Sequence, residues 1–73
     1  MTKTAFAADL KYSTVYMAIR HSIDGYDWTD VRTASGHPEV VRQNAAKADA
    51  EIPQWAACNP VVRVARFDLI EHA

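Results

Sequence analysis

Residues 12–34, YSTVYMAIRHSIDGYDWTDVRTA, decide the fold. They alternate with a period of two on either side of Asp24-Gly25, which is the pattern of a β-hairpin. Val15, Met17 and Ile19 point one way along the first strand, and Tyr16, Ala18 and Arg20 the other. A three-residue loop of Ile23, Asp24 and Gly25, with Gly25 left-handed, pairs Ser22 with Tyr26, Arg20 with Trp28, Ala18 with Asp30 and Tyr16 with Arg32. The opposite face then sets Ile19 against Thr29, Met17 against Val31 and Val15 against Thr33. A two-residue loop would slip the register by one and put Met17 and Ile19 opposite Arg32 and Asp30. That slip turns every side chain over, so the apolar pattern selects the odd-length loop.

Beyond the hairpin, Ala34-Ser35-Gly36-His37 is a connector, with Ser35 and His37 as candidate caps. Pro38 suits a first helical position and Glu39 a helix N-terminus. Val41, Ala45, Ala48, Ile52 and Trp55 recur at spacings of 4, 3, 4 and 3, forming one apolar stripe. Pro53 opposes the carbonyl of Asp49, so the helix is expected to run to Glu51, break, and add a last turn to Cys58. Asn59-Pro60 closes the helical region, and 61–70 reads as a third strand. Val62 and Val64 face one way, Arg63 and Ala65 the other, with a bulge expected near Ala65-Arg66. Residues 1–11 read either as an arm or as a short helical turn carrying Phe6 and Leu10. The expectation is one small α+β domain over residues 1–73. It is a ββαβ chain with a three-stranded antiparallel sheet in the order 2-1-3, and a single kinked helix covers one face.

Composition bounds the function. The chain has 73 residues, 49% of them apolar, and a net charge of −1. Such a domain is small enough that a second copy or a partner is a natural source of added stability. Cys58 is the only cysteine, which excludes an internal disulfide. The charge offers no global attraction to nucleic acid or anionic lipid. No signal peptide or membrane-spanning run is read, so a cytoplasmic protein with a reduced thiol is expected. No cofactor is expected, because the two glycines form no phosphate-binding loop.

The candidate binding residues are Tyr16, Arg20, Tyr26, Trp28 and Arg32 on the hairpin, joined by Arg63 from the third strand. One helix covers one face, so these six are expected on the uncovered one. Tyr, Trp and Arg dominate recognition surfaces. The same residues also serve an open sheet as plain cross-strand pairs. Asp24, Asp27 and Asp30 do not have calcium-loop spacing and read as turn chemistry and solvated surface. Cys58 and the histidines carry no catalytic signature. Cys58 reads as a small hydrophobe against Trp55, and His21 as a partly buried structural residue. Arg20, Arg32, Arg63 and Arg66 suggest a basic stripe, but Asp27, Asp30 and Asp68 lie beside it.

The layout of Tyr12–Ser22, Asp24-Gly25, Tyr26–Ala34, the Pro38–Cys58 helix and Val61–Ile70 resembles the small proteins of phages and mobile elements, including anti-CRISPR proteins. The resemblance implies an inhibitor that occupies a surface of a larger machine, often one meant for nucleic acid, and it assigns no residue. The expected function is therefore a non-enzymatic binding protein with a protein partner. A homodimer paired through sheet face or edge and a small nucleic-acid-binding module are the alternatives.

Overall fold

The computed structural model describes residues 14–68. The reading of residues 1–11 lies outside them, as do Leu69 and Ile70. Strand β1 spans Thr14–His21 and β2 spans Asp27–Ser35. Helix α1 covers Pro38–Glu51, α2 covers Pro53–Cys58, and β3 covers Val61–Asp68. The sheet is antiparallel in the order β2-β1-β3, as the sequence implied.

Local chemistry sets these boundaries. Gly25 has φ +95° and its N–H donates to Ser22 O, while Ser22 N–H donates to Tyr26 O. This is the three-residue loop, and glycine takes the left-handed backbone without a Cβ penalty. The register follows for His21↔Asp27, Arg20↔Trp28, Ile19↔Thr29 and Ala18↔Asp30. Pro38 opens α1 from the His37 N-cap position, where the His37 side chain makes no cap bond. The ladder breaks at Ile52, which is extended (φ −136°, ψ 79°) because Pro53 follows it.

Two departures from the sequence reading have clear causes. Beyond Asp30 the register jumps, so that Tyr16 lies opposite Ser35 rather than Arg32. Residues 31–34 form a bulge that Thr33 closes. Ala18 N–H donates to Thr33 Oγ1 at 2.8 Å, and that hydroxyl donates to Asp30 O at 2.6 Å. A side chain thus replaces a backbone rung of the ladder. Thr33 is fully buried. Thr33→Val keeps its shape but leaves the buried Ala18 N–H unpaired, which costs about 1–3 kcal/mol. Urea unfolding is expected to show that loss for Thr33→Val and a smaller one for Thr33→Ser, which keeps the hydroxyl. The second departure is in β3, where the bulge sits at Val62 and not near Ala65-Arg66. Arg20 pairs with Val61 and Ile19 with Arg63, so Val62 is the extra residue.

The helix also covers the other face from the one expected. Ala18, Val41 and Ala45 form the buried cluster, with Tyr16 and Val64 packed on it. Val41 is fully buried and contributes about 1.5–3 kcal/mol. Two alanines, one on β1 and one on α1, let the backbones approach. The far face carries Val15, Met17 and Ile19 with Phe67, Ala65 and Arg63 across from them. Of these, Ile19 is buried and Arg63 exposed. Helix α1 packs chiefly on β2 and β1 and only lightly on β3. No helix among the described residues is long and apolar enough to cross a membrane.

Candidate functional site

The six candidate residues do not share a surface. Arg20 is 0% exposed, Tyr16 and Trp28 are half-buried, and Tyr26, Arg32 and Arg63 are exposed. The expected uncovered arginine and aromatic face is instead the seat of α2. Arg20 and Trp28 are cross-strand neighbours, as the register required. The ring of Trp55, brought down by α2, meets Trp28 edge-on at 6.0 Å and 70°. The Arg20 guanidinium lies 4.8 Å from the Trp55 ring centre and that of Arg32 lies 4.7 Å from it. Such contacts contribute about 0.5–2 kcal/mol, more where water is excluded.

Asp30 organises this cluster. It is 1% exposed and accepts from Arg20 Nε at 2.7 Å. Arg32 approaches it with two guanidinium nitrogens, at 2.9 and 2.8 Å, and with its backbone N–H at 3.1 Å. Burial pushes the Asp30 carboxyl up, but hydrogen bonds from Arg32 and Arg20 outweigh it and hold the pKa at about 2, below the ordinary 3.8. The same bonds raise the Arg32 guanidinium above its ordinary value. Arg20 Nη1 donates to Asn59 O at 3.0 Å and forms an ion pair with Asp49 at 2.9 Å whose alignment is too poor for a hydrogen bond. Arg20 Nη2 is buried and has no protein partner among the described residues. Arg20 therefore ties β1, β2, α1 and the α2–β3 connection together from inside.

The remaining polar candidates are dispersed. His21 is exposed rather than partly buried, and its Nδ1 lies 2.7 Å from Asp27 Oδ1. Cys58 is free and exposed, not packed as a small hydrophobe. Among the described residues no group of three histidines, cysteines or carboxylates could hold a metal ion. Of the three hairpin carboxylates, Asp30 is committed to its two arginines.

One concave surface stands apart from this cluster. A groove of about 460 Å³ runs between α1 and β3. Ala45, Ala46 and Asp49 line one wall with Arg42, and Val61 to Val64 line the other. It exists because α1 leans toward β2, leaving the β3 side of the sheet lightly covered. Strand β3 is the last strand of the described sheet, so its outer backbone groups have no strand partner there. Val61 and Val62 are over a third exposed along this edge. Arg63, the one candidate residue on β3, is part of the groove's strand wall, with its side chain on the far face of the sheet opposite Ile19. The sequence carries no signal for Arg42, and it brings in the edge only as one way for a homodimer to pair. A strand's edge position follows from topology, and the order 2-1-3 already contained it.

No family model matches the chain, and neither does any curated protein or solved structure.

Proposed function

We propose that this chain is a non-enzymatic binding protein that docks on a larger protein through the outer edge of β3 and the groove beside it. One observation carries the reading: an edge strand with no strand neighbour among the described residues adjoins a groove lined by small residues. An edge presents alternating N–H and C=O groups, to which an extended segment of another protein adds as a further strand. Ala45 and Ala46 leave room for its backbone. Arg20 and the tryptophans, residues that usually mark an interface, are engaged with one another, Arg20 and Trp28 from within and Arg32 from the surface holding Trp55. A cytoplasmic inhibitor of the phage type, acting by occupying a partner's surface, fits this reading and requires no chemical step.

The test is selection from a phage-displayed library of random peptides against the immobilised protein, followed by binding to two variants. Ala46 is exposed and lines the groove, so Ala46→Trp fills it from a helix surface that tolerates the change. Val31 is exposed on β2, at the other edge of the sheet. Selected peptides are expected to lose about tenfold or more in affinity for Ala46→Trp, or about 1.4 kcal/mol, and to bind Val31→Ala as they bind wild type. Peptides that bind Ala46→Trp undiminished, or an absence of selected peptides, would overturn the reading.

A further inference from the structure

Five arginines lie among the described residues, and they divide into two groups. Arg20 and Arg32 are paired with Asp30, and Arg66 with Asp68 at 3.0 Å. Arg42 and Arg63 pair with no carboxylate of the described residues; Arg42 lines the groove from α1, while Arg63, in the β3 wall, is paired with Ile19 and so carries its side chain on the far face of the sheet. Asp49, the one acid in its walls, forms an ion pair at 2.9 Å with the buried Arg20. The fold satisfies its other arginines internally and leaves two cations on either side of the β3 edge.

Resting on the docking reading above, we infer that the groove takes an extended acidic segment, a strand of a partner protein whose glutamates or aspartates meet Arg42 and Arg63. The peptide backbone completes the β3 edge, and its carboxylates supply the two missing counter-charges. Guanidinium and carboxylate match in planar, two-pronged geometry, which gives direction as well as charge. A nucleic-acid strand would also bring negative charge. It has no backbone N–H and C=O pattern to continue a sheet, and it gains nothing from Val61 and Val62. A protein strand uses all three features of the groove.

The experiment titrates the isotope-labelled protein with three capped heptapeptides of valine that carry glutamate, glutamine or lysine at two adjacent central positions, one for each face of the added strand, and follows backbone amide shifts of residues 61–66 by NMR. The glutamate peptide is expected to bind about tenfold tighter than the glutamine one, with the difference falling as salt is added. In the Arg42→Glu/Arg63→Glu double variant the lysine peptide becomes the preferred one, and an unchanged amide spectrum elsewhere shows that the variant is folded. Equal binding of glutamate and glutamine peptides at the β3 amides would overturn the acidic inference and leave the docking reading standing. No shift at those amides with any peptide would overturn both. Oligothymidylate that binds the same amides more tightly than the glutamate peptide would reassign the arginines to phosphate.

Discussion

Arg20→Ala is expected to lower the unfolding free energy by about 3–5 kcal/mol, the range for breaking one side of a buried charge network. A domain of 73 residues has about 4–11 kcal/mol in all. The variant should therefore sit at or near the edge of folding at 37 °C. Besides the ion pair with Asp49, the loss has three parts. Asn59 O loses its donor, so the link between α2 and β3 is weakened. Asp30 keeps Arg32 but is buried with one cation instead of two. The Trp55 ring loses one of its two guanidinium contacts and faces a hole where the arginine stem lay. Arg20→Met restores the stem but none of the donors, and is expected to fall between alanine and wild type. Arg42→Ala, on the surface, should change stability by less than about 0.5 kcal/mol. Urea unfolding followed by tryptophan fluorescence reads all three. An Arg20→Ala protein as stable as Arg42→Ala would show that the buried network contributes nothing net.

The second large effect is on acid stability. The folded Asp30 pKa of about 2 lies below the ordinary 3.8. A depressed folded pKa gives stability that is complete above the unfolded value and lost as the pH falls through the folded one. The window is therefore from about pH 4 down to about pH 2, and the shift corresponds to about 2 kcal/mol. Urea midpoints measured across that window are expected to fall steeply in wild type. In Asp30→Asn this component of the slope disappears, and the variant starts from a lower stability at pH 7 because Arg20 and Arg32 lose their shared carboxylate. An Asp30→Asn protein whose midpoint falls with pH as steeply as wild type would assign the acid sensitivity to other groups.

The hairpin was legible because Asp24-Gly25 and the two alternating runs admit one register at the tip. The helix break was legible because proline cannot continue the ladder at Pro53. The strand order followed from connection rules. The covered face was not legible, and the reason lies in β1 itself. Val15, Met17 and Ile19 form the more apolar set, so a rule that buries apolar residues sends the helix to their side. The helix instead meets Tyr16, Ala18 and Arg20, because Ala18 admits Ala45 closely and because Arg20 finds its counter-charge in Asp30. The register Ala18↔Asp30 already put Arg20 on the same face as that carboxylate and two residues along on the diagonal, and an opposite-charge pair so placed was the available signal. The bulge at 31–34 left no such mark, since a threonine hydroxyl standing in for a backbone rung looks like any other threonine. Arg63 stood among the site candidates from its position on β3, but nothing in the helix pattern distinguishes Arg42 from any other polar residue beside the apolar stripe.

The edge of β3, which has no strand neighbour among the described residues, also bears on the solitary protein. A strand with an unpaired flank and exposed valines is a template for its own copies, and in a crowded cell that is the first step toward fibres. Arg42 and Arg63 stand at that flank, so a copy approaching edge to edge brings cation against cation. The charge that selects a foreign strand is then also what keeps sister chains apart. Neutralising both arginines is a step toward aggregation as well as toward lost recognition.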